Sequence, residues 1–253
     1  LLIMGATASM IWWEEEFCNR LSNQGFHVIR YDNRDVGKSV TYEYGSPKYT
    51  FEDMADDAVK ILDDYKIDKA HIVGMSMGGI ITQIVALKYP DRVLTISLVM
   101  TSNFDPNLSK KDSRVPEAIA NIKTTNFHDK EEVVEYMINR SKLIVGFRHP
   151  FDVERIRKLA EEDFDRANNL KSMENHGFVK GWGSYLSRTD EINTPTLVVH
   201  GTEDPIIPYE HGVHLFKIIT DAVLITLDSA GHELNYNDWN KIIIAISKHA
   251  ISS

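Results

Sequence analysis

A short apolar run, Ala70-His71-Ile72-Val73, leads directly into Gly74-Met75-Ser76-Met77-Gly78-Gly79. Apolar residues at helical spacing follow at Ile80, Ile81, Ile84, Val85 and Leu87. The pattern predicts a strand, a turn of about one residue and a helix. Small residues are needed where the strand and helix backbones close on one another. Such a turn pushes Ser76 out above the edge of the sheet. It also directs the unpaired N–H groups of the helix start at the same point. A G-x-S-x-G match alone is modest support, because glycine and serine are common. The plain alternative is a structural turn with a solvent-facing serine, and the strand before and helix after weigh against it.

The rest of the chain repeats this alternation. Strands are predicted at Leu1–Met4, His27–Tyr31, His71–Val73, Leu94–Val99, Thr196–His200 and Val223–Leu227. Several are continuously apolar, as parallel strands covered on both faces must be. Helices are predicted at Trp12–Asn23, Phe51–Tyr65, Met77–Tyr89, Tyr209–Ile218 and Trp239–Ala250, with Thr50 and Asp53 as a capping box for the second. Short strand–helix connections imply an α/β fold, a mostly parallel central sheet with helices on both faces. The rhythm breaks between residues 104 and 190. There the patterns are helical: Glu117–Thr125, Glu131–Val145 with Asp129 and Glu132 as cap-like residues, and an amphipathic stretch through Val153, Ile156, Ala160, Phe164 and Ala167. The expectation is a core of residues 1–103 and 191–253, with residues 104–190 as an inserted helical cap.

Composition narrows the function classes. With 37 acids against 28 bases, the net charge of −9 disfavours nucleic acid and anionic membrane as partners, since both select basic surfaces. No apolar run is long enough to span a membrane. The single cysteine, Cys18, allows no intrachain disulfide, so a reducing, cytoplasmic location is the simpler expectation. The first five residues, Leu1-Leu2-Ile3-Met4-Gly5, read as a core strand already under way. An upstream hairpin absent from this sequence is therefore expected, and a signal peptide ahead of it stays open. No phosphate-binding glycine loop, H-E-x-x-H pattern or Cys/His cluster is present, so neither cofactor nor metal is expected. Asn107 and Asn139 fall in N-x-S/T triplets, which carry little meaning in a cytoplasmic protein.

A serine nucleophile needs a base, and the base needs an orienting acid. The predicted strand Thr196–His200 is followed by Gly201-Thr202-Glu203-Asp204-Pro205, and the strand Val223–Leu227 by Asp228-Ser229-Ala230-Gly231-His232. Both loops fall at the sheet edge that carries Ser76. Asp204 is the expected acid, with Glu203 as competitor, and His232 the expected base. Of the other nine histidines, His200 is the strongest rival, but it precedes the acid. His27 and His71 open strands. His128, His149 and His176 lie in the insert, where contact with substrate is conceivable, although surface or packing roles are the default. His211, His214 and His249 fall in late helices. The oxyanion requires backbone donors: Met77, directly after the nucleophile, and Ala6 in the loop Met4-Gly5-Ala6-Thr7.

On these residues the chain resembles the α/β-hydrolases. The resemblance is carried by Gly74 to Gly78, Gly201 to Pro208 and Gly231-His232, and by the loop Arg30-Tyr31-Asp32-Asn33-Arg34-Asp35-Val36-Gly37-Lys38-Ser39. Within that superfamily it is similar to the aclacinomycin methylesterase-like esterases through Leu1 to Gly5, Val28 to Asp32 and Pro150-Phe151-Asp152. Met4-Gly5 stands where many relatives carry His-Gly, a departure the methylesterase-like group shares. The family's initial strands are missing. The resemblance implies a cofactor-independent serine hydrolase acting on a carboxylic ester of a small apolar substrate, with a methyl ester as one candidate. Thioester, lactone, amide, perhydrolase and carbon–carbon bond chemistry stay open on the same triad, as does a ligand-binding receptor on the same fold. The Arg30–Ser39 loop is expected to be structural, with Asp32 and Arg34 fixing turns. Trp12, Trp13, Met75, Met77, Phe147, Phe151, Phe178 and Trp182 are candidates for an apolar pocket, although such residues more often belong to cores.

Overall fold

The structure is a computed structural model and describes residues 1–108, 114–122 and 126–252. Five strands form one parallel sheet in sequence order: β1 Leu2–Ile3, β2 Ala70–Met75, β3 Val93–Val99, β4 Thr196–Gly201 and β5 Val223–Leu227. The register runs Ile3 to Gly74, Gly74 to Leu98, Leu98 to Val198 and Val198 to Leu224. The ends of β2, β4 and β5 that lead into Ser76, Asp204 and His232 therefore fall along one edge of the sheet.

Apolar side chains leave the sheet alternately to two layers. Ile3, Ile72, Leu98 and Val198 face α2 (Phe51–Asp64), α3 (Met77–Lys88) and α8 (Tyr209–Ile218). Leu2, Val73, Val99, Leu197 and Val199 face α1 (Glu15–Ser22) and α9 (Trp239–Ser252). Strands buried on both sides need apolar residues at every position, which is why they read as continuous runs. The capping box at α2 is formed: Thr50 Oγ1 accepts the Asp53 N–H while Asp53 accepts the Thr50 N–H at 2.7 Å.

Two predicted elements differ. His27–Tyr31 is no strand; Leu2 N–H donates to Ile29 C=O at 2.8 Å, and Arg30 makes a single bridge to Leu2. It lies beside β1, and a two-residue partner offers too little ladder. The first helix is broken: Met10–Trp12 forms one 3₁₀ turn, and α1 begins only at Glu15. The break follows from Ser9 and Trp12, which are held by Asp163 Oδ1 and Oδ2 at 2.6 and 2.9 Å.

Between β3 and β4 the regular elements among the described residues are helical: α4 (Arg114–Asn121), α5 (Lys130–Lys142), α6 (Val153–Arg166), a 3₁₀ stretch over Leu170–Phe178, α7 (Gly183–Leu186) and a 3₁₀ turn at Thr189–Glu191. The end of the predicted Glu117–Thr125 helix, residues 123–125, lies outside the described residues. Asp129 caps α5 by accepting the Glu132 N–H at 3.1 Å. Val133, Met137, Ile156, Ala160 and Met173 form a separate small core, closed by Val36 of the β1-side loops. An ion pair ties the insert down: Arg166 of α6 grips Asp32 with two hydrogen bonds of 2.9 Å, and Asp32 also accepts the Met10 and Lys38 N–H groups. Arg34 pairs with Asp57 at 2.6 and 2.8 Å.

Candidate active site

Ser76 sits in the turn between β2 and α3 with φ 53° and ψ −117°. A non-glycine residue in that region is strained and persists only where its surroundings over-determine it. Here the Ser76 N–H donates to Val99 C=O at 2.9 Å, and its C=O accepts Gly79 N–H at 2.9 Å and Thr101 Oγ1 at 2.7 Å. The flanking glycines permit the closure. A Cβ on Gly74 would lie 2.2 Å from Gly78 O, and one on Gly78 would lie 2.1 Å from Ile3 O.

Asp204 and His232 come together. Asp204 Oδ2 lies 2.7 Å from His232 Nδ1, and Oδ1 accepts the Ile206 and Ile207 N–H groups at 2.9 and 2.8 Å. Both side chains are buried. Burial alone would raise the Asp204 pKa, but electrostatic attraction to the His232 ring and hydrogen bonds from His200 and His232 outweigh it and hold the carboxyl well below its usual range. The His232 N–H donates to Ile144 C=O of the insert at 2.7 Å, and Glu203 N–H to Ala230 C=O at 3.0 Å. The loops after β4 and β5 are thereby stitched to each other and to the insert. Glu203, the competing acid, spends its backbone on this stitching, and Asp204 alone of the two meets the histidine.

Ser76 and His232 line one cavity of about 420 Å³ between the sheet edge and the insert. Gly5, Ala6 and Thr7 form part of its wall, and a Cβ on Gly5 would lie 3.2 Å from Ser76 Cβ, so this loop runs directly beside the serine. Met77 is the first residue of α3, where the backbone N–H has no acceptor within the helix. Met137, Ile144, Val145 and Ile156 supply the insert's side of the wall. Among the described residues, no group of three or more His, Cys, Asp or Glu could hold a metal ion, and no helix is long and apolar enough to cross a membrane.

Of the eight candidate apolar pocket residues, Trp12, Met75 and Phe151 line this cavity. Trp13 and Met77 are core, 1% and 4% exposed; Phe147 and Phe178 are exposed; Trp182 packs on Phe104. None of the insert histidines lines the cavity. His149 pairs with Asp238 at 3.1 Å, and His176 is buried between two core loops. His200, the rival base, stands behind the acid: its Nε2 lies 2.8 Å from Ile207 O and 3.4 Å from Asp204 Oδ2. Sequence reasoning missed several polar wall residues, Glu233 and Arg140 among them. Glu233 lies next to His232, and burial raises its pKa while Gly146 N–H and Asn235 Nδ2 donate to it at 3.2 and 3.3 Å. Arg140 reaches Thr7 Oγ1 at 3.3 Å. Arg140 belongs to no local motif, and only the position of α5 over the sheet edge identifies it; Glu233 directly follows the expected base in sequence, the one signal that could have found it.

Comparison with known proteins identifies the family and the fold. The family description "alpha/beta hydrolase fold" matches residues 1–238. The rhodomycin D methylesterases DauP of Streptomyces sp. (strain C5) and DnrP of Streptomyces peucetius are each 30% identical to this chain, over 98% of it and 89% of theirs. Among solved structures, the esterase EaEST from Exiguobacterium antarcticum superposes with a TM-score of 0.76 at 19% identity, covering 99% of this chain and 91% of that one. The 2-hydroxy-6-oxo-6-phenylhexa-2,4-dienoate hydrolase BPHD from Rhodococcus sp. strain RHA1 gives 0.76 at 20% identity, covering 98% and 88%. At such identities these two structures speak for the fold.

Proposed function

The chain belongs to the α/β-hydrolase fold family, and from that premise we propose that it is a cofactor-independent serine hydrolase that cleaves a carboxylic ester of a small apolar substrate through an acyl-enzyme. The observation that carries this reading is the 2.7 Å contact between Asp204 and His232, on the wall of a cavity that also holds Ser76 in a strained strand–helix turn. The methylesterases at 30% identity over nearly the whole chain support an ester as the bond, and a methyl ester as the first to try.

In this mechanism Ser76 Oγ attacks the ester carbonyl while His232 Nε2 takes its proton. Asp204 holds the Nδ1–H tautomer and stabilises the imidazolium. The N–H groups of Ala6 and Met77 donate to the developing oxyanion. Collapse of the tetrahedral adduct breaks the acyl C–O bond, and His232 returns the proton to the leaving alcohol. Water then attacks the acyl-enzyme with His232 again as base, which frees the acid and restores Ser76. The predominantly apolar wall suits an apolar acyl group, and the insert acts as a cap that excludes bulk water.

Hydrolysis of a panel of methyl and p-nitrophenyl esters by wild type and Ser76→Ala tests the reading. Serine-dependent turnover of esters supports it; turnover that survives the substitution overturns it.

A further inference from the structure

His176 belongs to the insert, in the 3₁₀ stretch Leu170–Phe178, yet both its ring nitrogens are engaged by the core. The Thr7 backbone N–H donates to Nδ1 at 2.8 Å, and Nε2 lies 2.7 Å from the Arg34 carbonyl oxygen. These contacts fix the tautomer. A backbone N–H can only donate, so Nδ1 is bare; a carbonyl can only accept, so Nε2 carries the proton. The ring is 5% exposed. Burial pushes its pKa down, against weaker upward pulls from the Arg34 carbonyl and the Asp35 charge, which keeps Nδ1 available as an acceptor. A histidine that merely fills space has no need of two directional bonds to two different loops.

What it holds is an unfavourable piece of backbone. Thr7 has φ +64°, a left-handed conformation that a β-branched residue rarely adopts. Its Oγ1 donates to Ala6 C=O at 2.6 Å and accepts from Arg140 Nη2 at 3.3 Å. Thr7 N–H belongs to the peptide that joins Ala6 to Thr7, so an acceptor fixed on that N–H sets the plane of this peptide and limits the rotation of Ala6. The Arg34 end is itself anchored, because the Arg34 side chain is paired with Asp57.

We propose that His176 is a positioning residue for the oxyanion loop: through its Nδ1 bond to Thr7 N–H, the insert holds the Ala6 donor in register with Ser76. The proposal rests on the serine-hydrolase reading above. It makes the insert a structural part of the catalytic machinery as well as a wall of the cavity. An Ala6 N–H that drifts out of line weakens oxyanion stabilisation without altering the apolar surface that binds the ester, so the effect falls on kcat and spares KM.

The test compares wild type, His176→Phe and His176→Asn. Phe fills the space but accepts nothing, whereas the Asn side-chain oxygen takes the place of Nδ1. The readouts are kcat and KM for p-nitrophenyl butyrate, the rate of fluorophosphonate labelling of Ser76, and hydrogen exchange of the Thr7 amide. For His176→Phe, kcat and the labelling rate are expected to fall by about 10- to 100-fold, below or at the loss caused by removing an oxyanion donor outright. KM is expected to stay within about threefold of wild type, and Thr7 exchange to accelerate. His176→Asn is expected to recover most of the rate and of the protection. Unchanged kcat in a folded His176→Phe, a fall that appears equally in KM, or no recovery with Asn overturns the proposal. If wild type itself shows no Ser76-dependent turnover, the serine-hydrolase reading fails. The Thr7 exchange then decides the clamp separately, and equal exchange in wild type and His176→Phe refutes it.

Discussion

Replacing Asp204 with Asn leaves the shape of the site nearly intact and inverts one hydrogen bond. Asp204 Oδ1 accepts two backbone N–H groups, from Ile206 and Ile207, at 2.9 and 2.8 Å. Those partners can only donate, so the amide oxygen of an Asn must take that side. Its NH2 group then faces His232 Nδ1, which Asp204 Oδ2 meets at 2.7 Å. An NH2 donates, so the imidazole is driven to present a bare Nδ1 and carry its proton on Nε2. That is the atom that must accept the Ser76 proton. In the serine-protease triad the same exchange costs about 10⁴-fold in kcat, equivalent to about 5.5 kcal/mol of transition-state stabilisation. A similar loss is expected here, with KM within about threefold of wild type because the cavity wall is unchanged. Folding should suffer less: both backbone bonds survive, and the change is confined to the face toward His232 and His200, so a shift within about 2 kcal/mol is expected from urea unfolding. The assay is steady-state hydrolysis of p-nitrophenyl acetate at pH 7.5 to 8 alongside an unfolding curve. A folded Asp204→Asn enzyme that keeps more than about a tenth of wild-type kcat refutes the tautomer argument.

Three further outcomes are expected. Arg166→Met leaves Asp32, whose side chain is 8% exposed, with its two backbone donors but no cation; about 2–4 kcal/mol of stability should be lost in urea unfolding, and a loss under about 0.5 kcal/mol contradicts the anchoring role. Gly78→Ala places a methyl 2.1 Å from Ile3 O, so the variant should either fail to fold or lose about 3 kcal/mol or more, read from expression of folded protein and thermal midpoint. His176 is buried neutral with its pKa pushed below the ordinary 6.5; the unfolded chain then binds the proton first, so its contribution to stability is whole above that value and is lost as pH falls below it. His176→Phe should accordingly flatten the stability–pH curve as pH falls below about 6.5, and an identical slope in both proteins contradicts this.

The sequence was most readable where chemistry forces a pattern. The parallel strands needed apolar residues on both faces, and β5 and α8 run over the residues expected of them. Asp204 and His232 were legible because each follows a strand, and strand ends of one parallel sheet share an edge; the structure adds their 2.7 Å contact, which spacing alone cannot supply. The misreadings have a common origin in tertiary contacts. Nothing local distinguishes His27–Tyr31 from an interior strand; only its two-residue neighbour does. The break at Trp13 depends on Asp163, about 150 positions away in sequence. Four of the six aromatic candidates for the pocket proved to be core-packed or solvent-facing, because composition identifies apolar residues but not the direction in which they face. His176, read from sequence as an insert histidine of no fixed role, acquires its two bonds only when the insert closes over the loops after Met4 and Arg30.

The most direct test of the central claim is pre-steady-state hydrolysis of p-nitrophenyl acetate and butyrate by wild type and Ser76→Ala, with fluorophosphonate labelling in parallel. Expected is a burst of p-nitrophenol followed by steady turnover in wild type, one label per chain on Ser76, and neither in the mutant. A folded wild-type protein that gives no burst and takes no label, or a Ser76→Ala protein that turns over at the wild-type rate, contradicts the assignment of Ser76, Asp204 and His232 as the catalytic triad.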